Sequence, residues 1–383
     1  MRVDFLRLTH YRNFRDVLVE ASPGLNFLVG LNGQGKTNLL EALWVLAGAR
    51  SPRAREPGDL VTYGVEQGHV HARVSQDATG VTRDVEVTLA RGTARSYRLN
   101  GKPLPRAADV LGTLAVLWFS PDEVDLIRGG PADRRRFLDV VLAQTDGTYR
   151  RLVLQYGRIL LQRNRTLQQI REGQAAPSLL DAWDEQLVAA GSYLTVARHA
   201  LVDAIAGTAA QTYQAIAGSA STLEMTYKAS GPGAADRGAA DPRSLQRAFA
   251  AHLERLRAAE LARGVTLAGP HRDDLEIGLD GVEVRRFGSR GQQRTAAVAL
   301  HLAAWEWMRE RSGEGPVLLL DDVASELDAG RRARLIRALP ETAQVWLSAT
   351  ALDPEWLSPQ RQAVRPGRAW RVSGGTLEIL AGA

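Results

Sequence analysis

The sequence predicts an α/β fold in which both ends of the chain build one domain and a mostly helical domain is inserted between them. Three observations carry this prediction. Near the N-terminus, a glycine-rich loop lies between a strand pattern and a helix pattern. Near the C-terminus, patterns of buried strands return. In the middle of the chain, the apolar residues have mainly helical spacing. We expect the first domain to comprise residues 1–122 and 264–383, and the inserted domain to comprise residues 123–263.

Strands dominate the prediction for the N-terminal part. Their apolar runs or two-residue alternation cover residues 2–8, 17–20, 25–29, 69–76, 81–90 and 114–119. Asn100-Gly101 is typical of the type I′ turn that joins two strands of a β-hairpin.

Helices are predicted for the middle of the chain. Helical spacing begins near residue 121, with Pro131 placed at a helix start, and occurs again over 178–218 and 244–263. Residues 229–243 are rich in Gly, Ala and Pro and predict a loop. Strand character returns at 274–287, where Asp280-Gly281 predicts a second hairpin.

The glycine-rich loop has the pattern of a triphosphate site. Gly30, Gly35, Lys36 and Thr37 match G-x-x-x-x-G-K-[ST], and the loop runs from the apolar stretch LNFLV into the helical stretch TNLLEALWVLAG. The glycines let backbone N–H groups surround a phosphate, and the helix N-terminus adds partial positive charge. Lys36 is then expected to reach the outer phosphates and Thr37 to hold Mg²⁺.

Paired carboxylates follow another strand pattern, in VLLLDDVASELD (317–328). Four aliphatic residues place Asp321 at a strand end, where we expect it to bind Mg²⁺. Asp322 is then placed to orient or deprotonate an attacking water. A further buried strand is predicted in AQVWLSAT (343–350).

A second loop opens into a helix at FGSRGQQRTAAVALHLAAWEWM (287–308). A helix N-terminus is suited to an anion. Taken alone, Ser289 is better explained as the N-cap of that helix. The order of phosphate loop, S-x-G-Q loop and DD strand favours a functional role.

Composition excludes several classes of site. The 383 residues contain no cysteine, which excludes disulfides, thiolate catalysis and cysteine-ligated metals. No signal-peptide pattern or apolar run of about 18 residues occurs, so a cytoplasmic protein is expected. The net charge of +5 suits a polyanionic partner. Only three of the 48 basic residues are lysines, a bias that a GC-rich genome explains better than phosphate binding does.

The motifs and their order resemble the RecF family of bacterial recombination mediators, within the ATP-binding-cassette heads of the Rad50 and SMC class. The resemblance covers nearly the whole chain and is most specific in SPDEVDLIRGGPADRRRFLD (120–139) and GPHRDDL (269–275). It implies an ABC-type, Rad50/SMC head-like P-loop ATPase domain with a mostly helical insert, and ATP and Mg²⁺ as cofactors.

The resemblance also assigns roles to single residues. It implies ATP contacts at Arg12, Gly30, Asn32, Gly33, Gly35, Lys36, Thr37 and Asn38, and metal contacts at Thr37 and Asp321. It matches Ser289, Gly291 and Gln292 to the signature motif and Ser325, Leu327 and Asp328 to the D-loop. It implies catalytic roles for Asp322, Ser289, Gln292 and Asp328. In such heads the signature of one subunit completes the ATP site of another, so a homodimer joined by ATP is implied.

Departures from the wider class imply slow hydrolysis. Asp322 stands where the wider class has a glutamate, so the side chain that carries the carboxylate is shorter by one methylene and would hold the attacking water less closely. Ala349 or Thr350 stands where many have a switch histidine, and the strand at 114–119 ends in Ser120 without the usual glutamine. The signature itself reads GSRGQ, which the RecF family tolerates.

The implied function is an ATP-dependent, sequence-independent clamp on duplex DNA near single-strand gaps. Its weak DNA-dependent ATPase would time release, and it would assist RecA loading with RecR and RecO. Candidate DNA contacts are Arg134, Arg135, Arg163 and Arg165, although such groups on helices also form solvated or ion-paired faces. Residues 271–274 fit either a structural ion-pair turn or the ATP-linked machinery. A P-loop kinase and a transporter-type ATPase subunit are the alternatives, and the kinase leaves FGSRGQQ and SELD unexplained.

Overall fold

The computed structural model describes residues 1–120, 124–231, 242–323, 327–353 and 367–382. The chain forms two compact units. One contains Met1–Glu123, Ala215–Ser219 and Val298–Ala383, and the other contains Val124–Gln214 and Ala220–Ala297. The chain returns to the first unit at Val298, whereas the sequence pattern predicts this return at residue 264.

The secondary structure has the following bounds. The strands are β1 (Arg2–Tyr11), β2 (Phe14–Glu20), β3 (Leu25–Val29), β4 (Gln67–Gln76), β5 (Val81–Ala90), β6 (Ser96–Leu99), β7 (Lys102–Pro103), β8 (Val116–Phe119), β9 (Leu223–Lys228), β10 (Asp274–Leu279), β11 (Val282–Glu283), β12 (Val317–Leu320), β13 (Val345–Ala349), β14 (Gly367–Ser373) and β15 (Thr376–Gly382). The helices are α1 (Lys36–Leu46), α2 (Asp125–Arg128), α3 (Pro131–Thr145), α4 (Gly147–Arg171), α5 (Asp181–Ala217), α6 (Pro242–Arg263), α7 (Val284–Phe287), α8 (Arg290–Ser312) and α9 (Ala329–Ala338).

The first unit contains two six-stranded sheets, one antiparallel in the order β2-β1-β4-β5-β6-β7 and one mainly parallel in the order β15-β14-β3-β13-β12-β8. Strands β3, β8, β12 and β13 are buried at every position, as is typical of parallel strands covered on both faces. Helix α1 contacts strands of both sheets. The mixed α/β architecture predicted from the sequence is confirmed.

Strand order in the parallel sheet positions the candidate site. Strand β13 pairs in parallel with β3 on one side and with β12 on the other. The carboxyl ends of these strands therefore lie at one edge of the sheet, where the phosphate loop leaves β3 and the paired carboxylates follow β12.

The second unit combines helices α2 to α6 with a three-stranded antiparallel sheet in the order β11-β10-β9. Strand β10 pairs with β9 over six residues, which holds the segment after residue 264 in this unit. Asp280 and Gly281 have φ angles of 53° and 77°, as the predicted hairpin turn requires. The predicted strand character over 284–287 is wrong, because a hydrogen bond from Gly288 N–H to Val284 O closes a short helix there.

Other predicted elements agree with the structure within the described residues. Strands β3 and β5 have the predicted bounds, and Pro131 is the first residue of α3. Asn100 and Gly101 also have positive φ angles. Of the predicted loop 229–243, residues 232–241 lie outside the described part of the chain. None of the described helices combines the length and apolar character needed to cross a bilayer.

Candidate active site

The phosphate loop joins β3 to α1 and depends on its glycines. Gly33 and Gly35 have φ angles of 80° and 114°, in the region that side chains rarely adopt. A Cβ on Gly35 would also lie 2.6 Å from Asn13 Nδ2, and a Cβ on Gly30 would lie 2.4 Å from Val372 O. The loop conformation therefore requires glycine for both backbone and steric reasons.

Lys36 is the first residue of α1, and its side chain turns back into this loop. Its Nζ donates hydrogen bonds to Gly30 O at 2.6 Å and to Leu31 O at 3.0 Å. Burial lowers the pKa of Lys36, and the charges of Asp322 and Asp321 act in the opposite direction. The ammonium group is thus held by loop carbonyls at the place where a phosphate oxygen would be its stronger acceptor.

The phosphate loop and the paired carboxylates meet at Thr37 and Asp321. Thr37 Oγ1 donates to Asp321 Oδ1 at 3.1 Å, and Ser348 Oγ donates to the same oxygen at 2.5 Å. Burial raises the pKa of Asp321, and these two hydrogen bonds oppose the rise. Asp322 has a φ of 49°, and its N–H donates to Ser348 Oγ at 2.9 Å. Ser348 therefore contacts both members of the carboxylate pair.

Thr37 and Asp321 fit an Mg²⁺ ion bound together with nucleotide phosphates. Such an ion takes one or two carboxylates, while phosphate and water oxygens complete an octahedron in which adjacent ligands lie about 2.9 Å apart. The 3.1 Å between Thr37 Oγ1 and Asp321 Oδ1 is close to this spacing.

Arg12 is fixed against helix α1 by Glu41. Its Nε and one terminal nitrogen donate to the two oxygens of Glu41, both at 2.9 Å. Glu41 is fully buried and also accepts a hydrogen bond from Ser51 Oγ at 2.5 Å. Burial alone would lower the pKa of Arg12, but the hydrogen bonds and charge of Glu41 outweigh it, and the pKa is raised. Arg12 is therefore a firmly positioned cation.

Asn38 supports the loop through Asn13. Asn38 Nδ2 donates to Asn13 Oδ1 at 2.8 Å, and Asn13 Nδ2 donates to Gln34 O at 2.9 Å. Gln34 Oε1 in turn accepts from Gly374 N–H at 2.7 Å. Asn32, by contrast, is exposed at the tip of the loop.

Ser289 caps helix α8 in the second unit. Its N–H donates to Gln292 Oε1 at 2.8 Å, and its Oγ accepts from Gln292 N–H at 3.3 Å. This reciprocal pair is a capping box, so the N-cap interpretation of Ser289 is confirmed. Ser289 is nonetheless exposed, and its role toward a nucleotide stays a prediction.

The D-loop region begins helix α9. Asp328 Oδ1 accepts a hydrogen bond from Arg331 N–H at 2.8 Å, and this contact lowers the pKa of Asp328. Leu327 is buried. Ser325 lies outside the described residues.

Comparison with known proteins identifies the family. Residues 2–361 match the RecF/RecN/SMC N-terminal domain family. A protein of Synechococcus sp. (strain JA-3-3Ab) named DNA replication and repair protein RecF is 41% identical over 362 residues, covering 93% of this chain and 94% of its own. A protein of the same name from Symbiobacterium thermophilum is 41% identical over 381 residues, covering 99% and 98%. The chain belongs to the RecF family.

Solved structures agree with this assignment. The structure of the recombination mediator protein RecF-ATP in the RecFOR pathway has a TM-score of 0.87 and 29% identity, covering 99% of this chain and 97% of that chain. The SMC head bound to the C-winged helix domain of ScpA has a TM-score of 0.57 and 14% identity, covering 99% of this chain and 98% of that chain, and this likeness concerns the fold alone. The ABC-type head fold is confirmed.

Two of the predicted DNA contacts are structural ion pairs in this RecF-family chain. Arg163 is fully buried, with nitrogens 2.6 Å from both Asp184 and Glu260. Arg134 is buried and holds both oxygens of Asp274, at 2.6 and 2.9 Å. Their guanidinium groups are occupied by carboxylates away from solvent, so the prediction that they contact DNA is corrected.

Arg135 and Arg165 differ from this pair. Arg135 is half-buried and donates to Asp273 O at 2.6 Å, and burial lowers its pKa. Arg165 is exposed on helix α4. A contact of either residue with DNA stays a prediction.

Sequence patterns missed three residues that hold the phosphate loop, the carboxylate pair or Arg12 in place. Glu41 is the one charged residue in the apolar stretch LLEALWVL (39–46) of α1, and Ser348 is the one hydroxyl in the buried strand β13. A lone polar residue in an apolar run is the signal that indicates a buried partner. Asn13 follows β1 in a turn and has no comparable signal, because its contact with the loop arises only from the fold.

Proposed function

We propose that this protein is an ATP-dependent, sequence-independent DNA-binding clamp of recombinational repair. The observation that carries the proposal is the contact between Thr37 and Asp321, which joins a phosphate loop to a carboxylate pair in one site. The names of its RecF relatives, which refer to DNA replication and repair, support the pathway. The similar RecF-ATP structure supports ATP as the nucleotide.

ATP would bind with its triphosphate in the loop between β3 and α1. Lys36 and Arg12 supply positive charge there, and the N-terminus of α1 adds its partial charge. Mg²⁺ held by Thr37 and Asp321 would neutralise charge on the phosphates. Asp322 orients the attacking water. Its carboxylate is one methylene shorter than a glutamate, so water is held less closely and hydrolysis is slow.

The signature motif would act on a second copy of the chain. The phosphate loop lies in the first unit, whereas Ser289 and Gln292 lie in the second. In the proposed dimer these two residues approach the ATP of the partner copy, and Asp328 has a catalytic role. ATP then closes the homodimer on duplex DNA near a single-strand gap, and weak DNA-dependent hydrolysis opens it. In this role the protein assists RecA loading together with RecR and RecO.

Light scattering tests the proposal. The protein is measured with ATP–Mg²⁺ and with ADP, each with and without a gapped duplex. We expect a dimer only with ATP, a larger dimer fraction with DNA, and a monomer for Lys36→Ala and Ser289→Arg. Lys102→Ala, which removes an exposed lysine of β7, is the control and should behave as the unaltered chain. A monomer under every condition, or equal DNA affinity with and without ATP, would contradict the clamp.

A further inference from the structure

Helix α4 carries an exposed surface whose residues repeat every seven positions. Arg151, Arg158 and Arg165 form one row, and Leu154 and Leu161 form the row beside it. Seven residues make nearly two helical turns and advance the helix by about 10 Å, so the members of each row lie above one another. The two leucines are 51% and 53% exposed.

A hole lies between the two leucines. Leu154, Gly157, Arg158 and Leu161 occupy positions i, i+3, i+4 and i+7, the four positions that surround an inserted side chain when two helices meet. Gly157 is exposed, and no described atom lies within 4 Å of the place where its Cβ would be. Glycine is unfavourable inside a helix. No contact within the described residues explains a glycine at position 157, whereas the close approach of another molecule would explain it.

The three arginines of this surface are free of partners within the described residues. No carboxylate or other acceptor binds Arg151, Arg158 or Arg165, whereas Arg163 on the same helix holds two carboxylates. The surface therefore presents three unpaired positive charges over about 20 Å beside apolar side chains.

We propose that this surface, which we call the α4 docking face (Arg151, Leu154, Gly157, Arg158, Leu161 and Arg165), binds an acidic amphipathic helix of a partner protein. A large apolar side chain of the partner fills the hole at Gly157. Carboxylates on either side of that side chain form bidentate ion pairs with the arginines. The proposal is independent of the ATP clamp.

Two other occupants fit this surface less well. A second copy joined through the same face would bring arginines against arginines. DNA held through its backbone needs positive charge, but it gains nothing from an open glycine between two half-exposed leucines. The hole and the charges together select a helix that is both apolar and acidic.

A labelled synthetic peptide of about three heptads, with leucines on one face and glutamates flanking them, is the probe. It is kept at nanomolar concentration so that it does not self-associate, and binding to the full chain is followed by fluorescence anisotropy. We expect Gly157→Leu to weaken binding by about tenfold or more because it fills the hole. The same change should raise the denaturation midpoint, since leucine favours helix more than glycine does. Lost binding in a more stable protein is not explained by misfolding.

Gly207→Leu is the matched control. Gly207 lies inside α5, is exposed, and also has no described atom within 4 Å of its Cβ position. This change should raise stability in the same way and leave peptide binding unaltered.

Charge reversal completes the test. Arg158→Glu should weaken the glutamate peptide by about tenfold or more and favour a peptide with lysines in place of glutamates. No binding of the glutamate peptide up to about 1 mM, or equal binding by Gly157→Leu, would overturn the proposal. Binding of a blunt duplex that is lost on Arg151→Glu and Arg158→Glu but kept in Gly157→Leu would assign the face to DNA instead. A change of molecular mass caused by Gly157→Leu alone would assign it to a second copy.

Discussion

Glu41 holds Arg12 through two parallel hydrogen bonds of 2.9 Å, and the carboxylate is fully buried. Arg12 itself has a left-handed backbone, with a φ of 52°. A planar guanidinium bound at two points loses its freedom to rotate. Glu41 therefore determines where the charge of Arg12 lies, although it carries the opposite charge itself.

Glu41→Gln should slow ATP hydrolysis by about tenfold or more, because Arg12 then loses one charged partner and its fixed orientation. The measurement is single-turnover hydrolysis at saturating ATP. Asp16→Asn is the control, since it removes an exposed ion pair with Arg7 in the same unit and should leave the rate unchanged. An unaltered rate in Glu41→Gln would show that Arg12 does not depend on Glu41 for its action.

Ser348→Ala should raise the Mg²⁺ concentration needed for nucleotide binding by roughly tenfold. The hydroxyl stabilises the charged form of Asp321, so its removal raises the pKa of that carboxyl further and weakens it as a ligand. The measurement is binding of a fluorescent ATP analogue during Mg²⁺ titration. Ser312→Ala, which removes a hydroxyl bonded within its own helix, should leave the titration unchanged. Equal titrations for both variants would remove Ser348 from the metal site.

Arg163→Ala should lower the free energy of unfolding by about 3–5 kcal/mol, because the fully buried Glu260 would lose its charged partner, whereas Asp184 would keep its ion pair with Arg257. Arg165→Ala, two residues away on the exposed side, should change it by less than about 0.5 kcal/mol. Urea unfolding of both variants provides the comparison. Similar values for the two would mean that Arg163 is not the centre of a buried ion-pair group.

His271 should make the protein less stable in acid. Its Nδ1 lies 2.7 Å from the hydroxyl oxygen of Tyr156, and its Nε2 lies 3.3 Å from Thr266 O. Burial, reinforced by the charge of Arg272, lowers the pKa of His271 from 6.5 to about 4. Between these values the unfolded chain binds more protons than the folded chain, so stability falls as pH falls through this window, by about 3 kcal/mol in all.

Urea unfolding at several pH values between about 4 and 7 measures this loss. His271→Gln should remove the part of the pH dependence that comes from this ring. The same substitution at exposed His69 should retain it. An unchanged slope in His271→Gln would show that other groups cause the acid sensitivity.

Local features of the sequence predicted much of the site. The phosphate loop lies within eight residues, and the strand before Asp321 is a continuous apolar run, so both patterns are visible without the fold. The contact of Thr37 with Asp321 could not be predicted from local sequence, because it depends on β13 lying between β3 and β12. Strand order of this kind joins residues far apart in sequence and leaves no local periodicity.

Arg163 and Arg165 lie on different faces of helix α4. The prediction that both contact DNA rested on their charge and did not consider these faces. Residues two positions apart point about 200° away from each other around a helix. Arg163 continues the seven-residue row of Tyr149 and Tyr156, which are both buried. The sequence thus contained the signal for a buried arginine, but only its partners Asp184 and Glu260 explain how the charge is tolerated.

Strand β3 receives its neighbours from the far end of the chain. Its partners β13 and β14 begin at Val345 and Gly367. During synthesis the N-terminal part leaves the ribosome first. Strand β3, which precedes the phosphate loop, therefore cannot pair until β13 and β14 have been synthesised. A chain interrupted before Val345 would contain the phosphate-loop sequence but neither of the strands that pair with β3. We therefore expect nucleotide binding to arise late in translation, only in chains that already contain both partner strands.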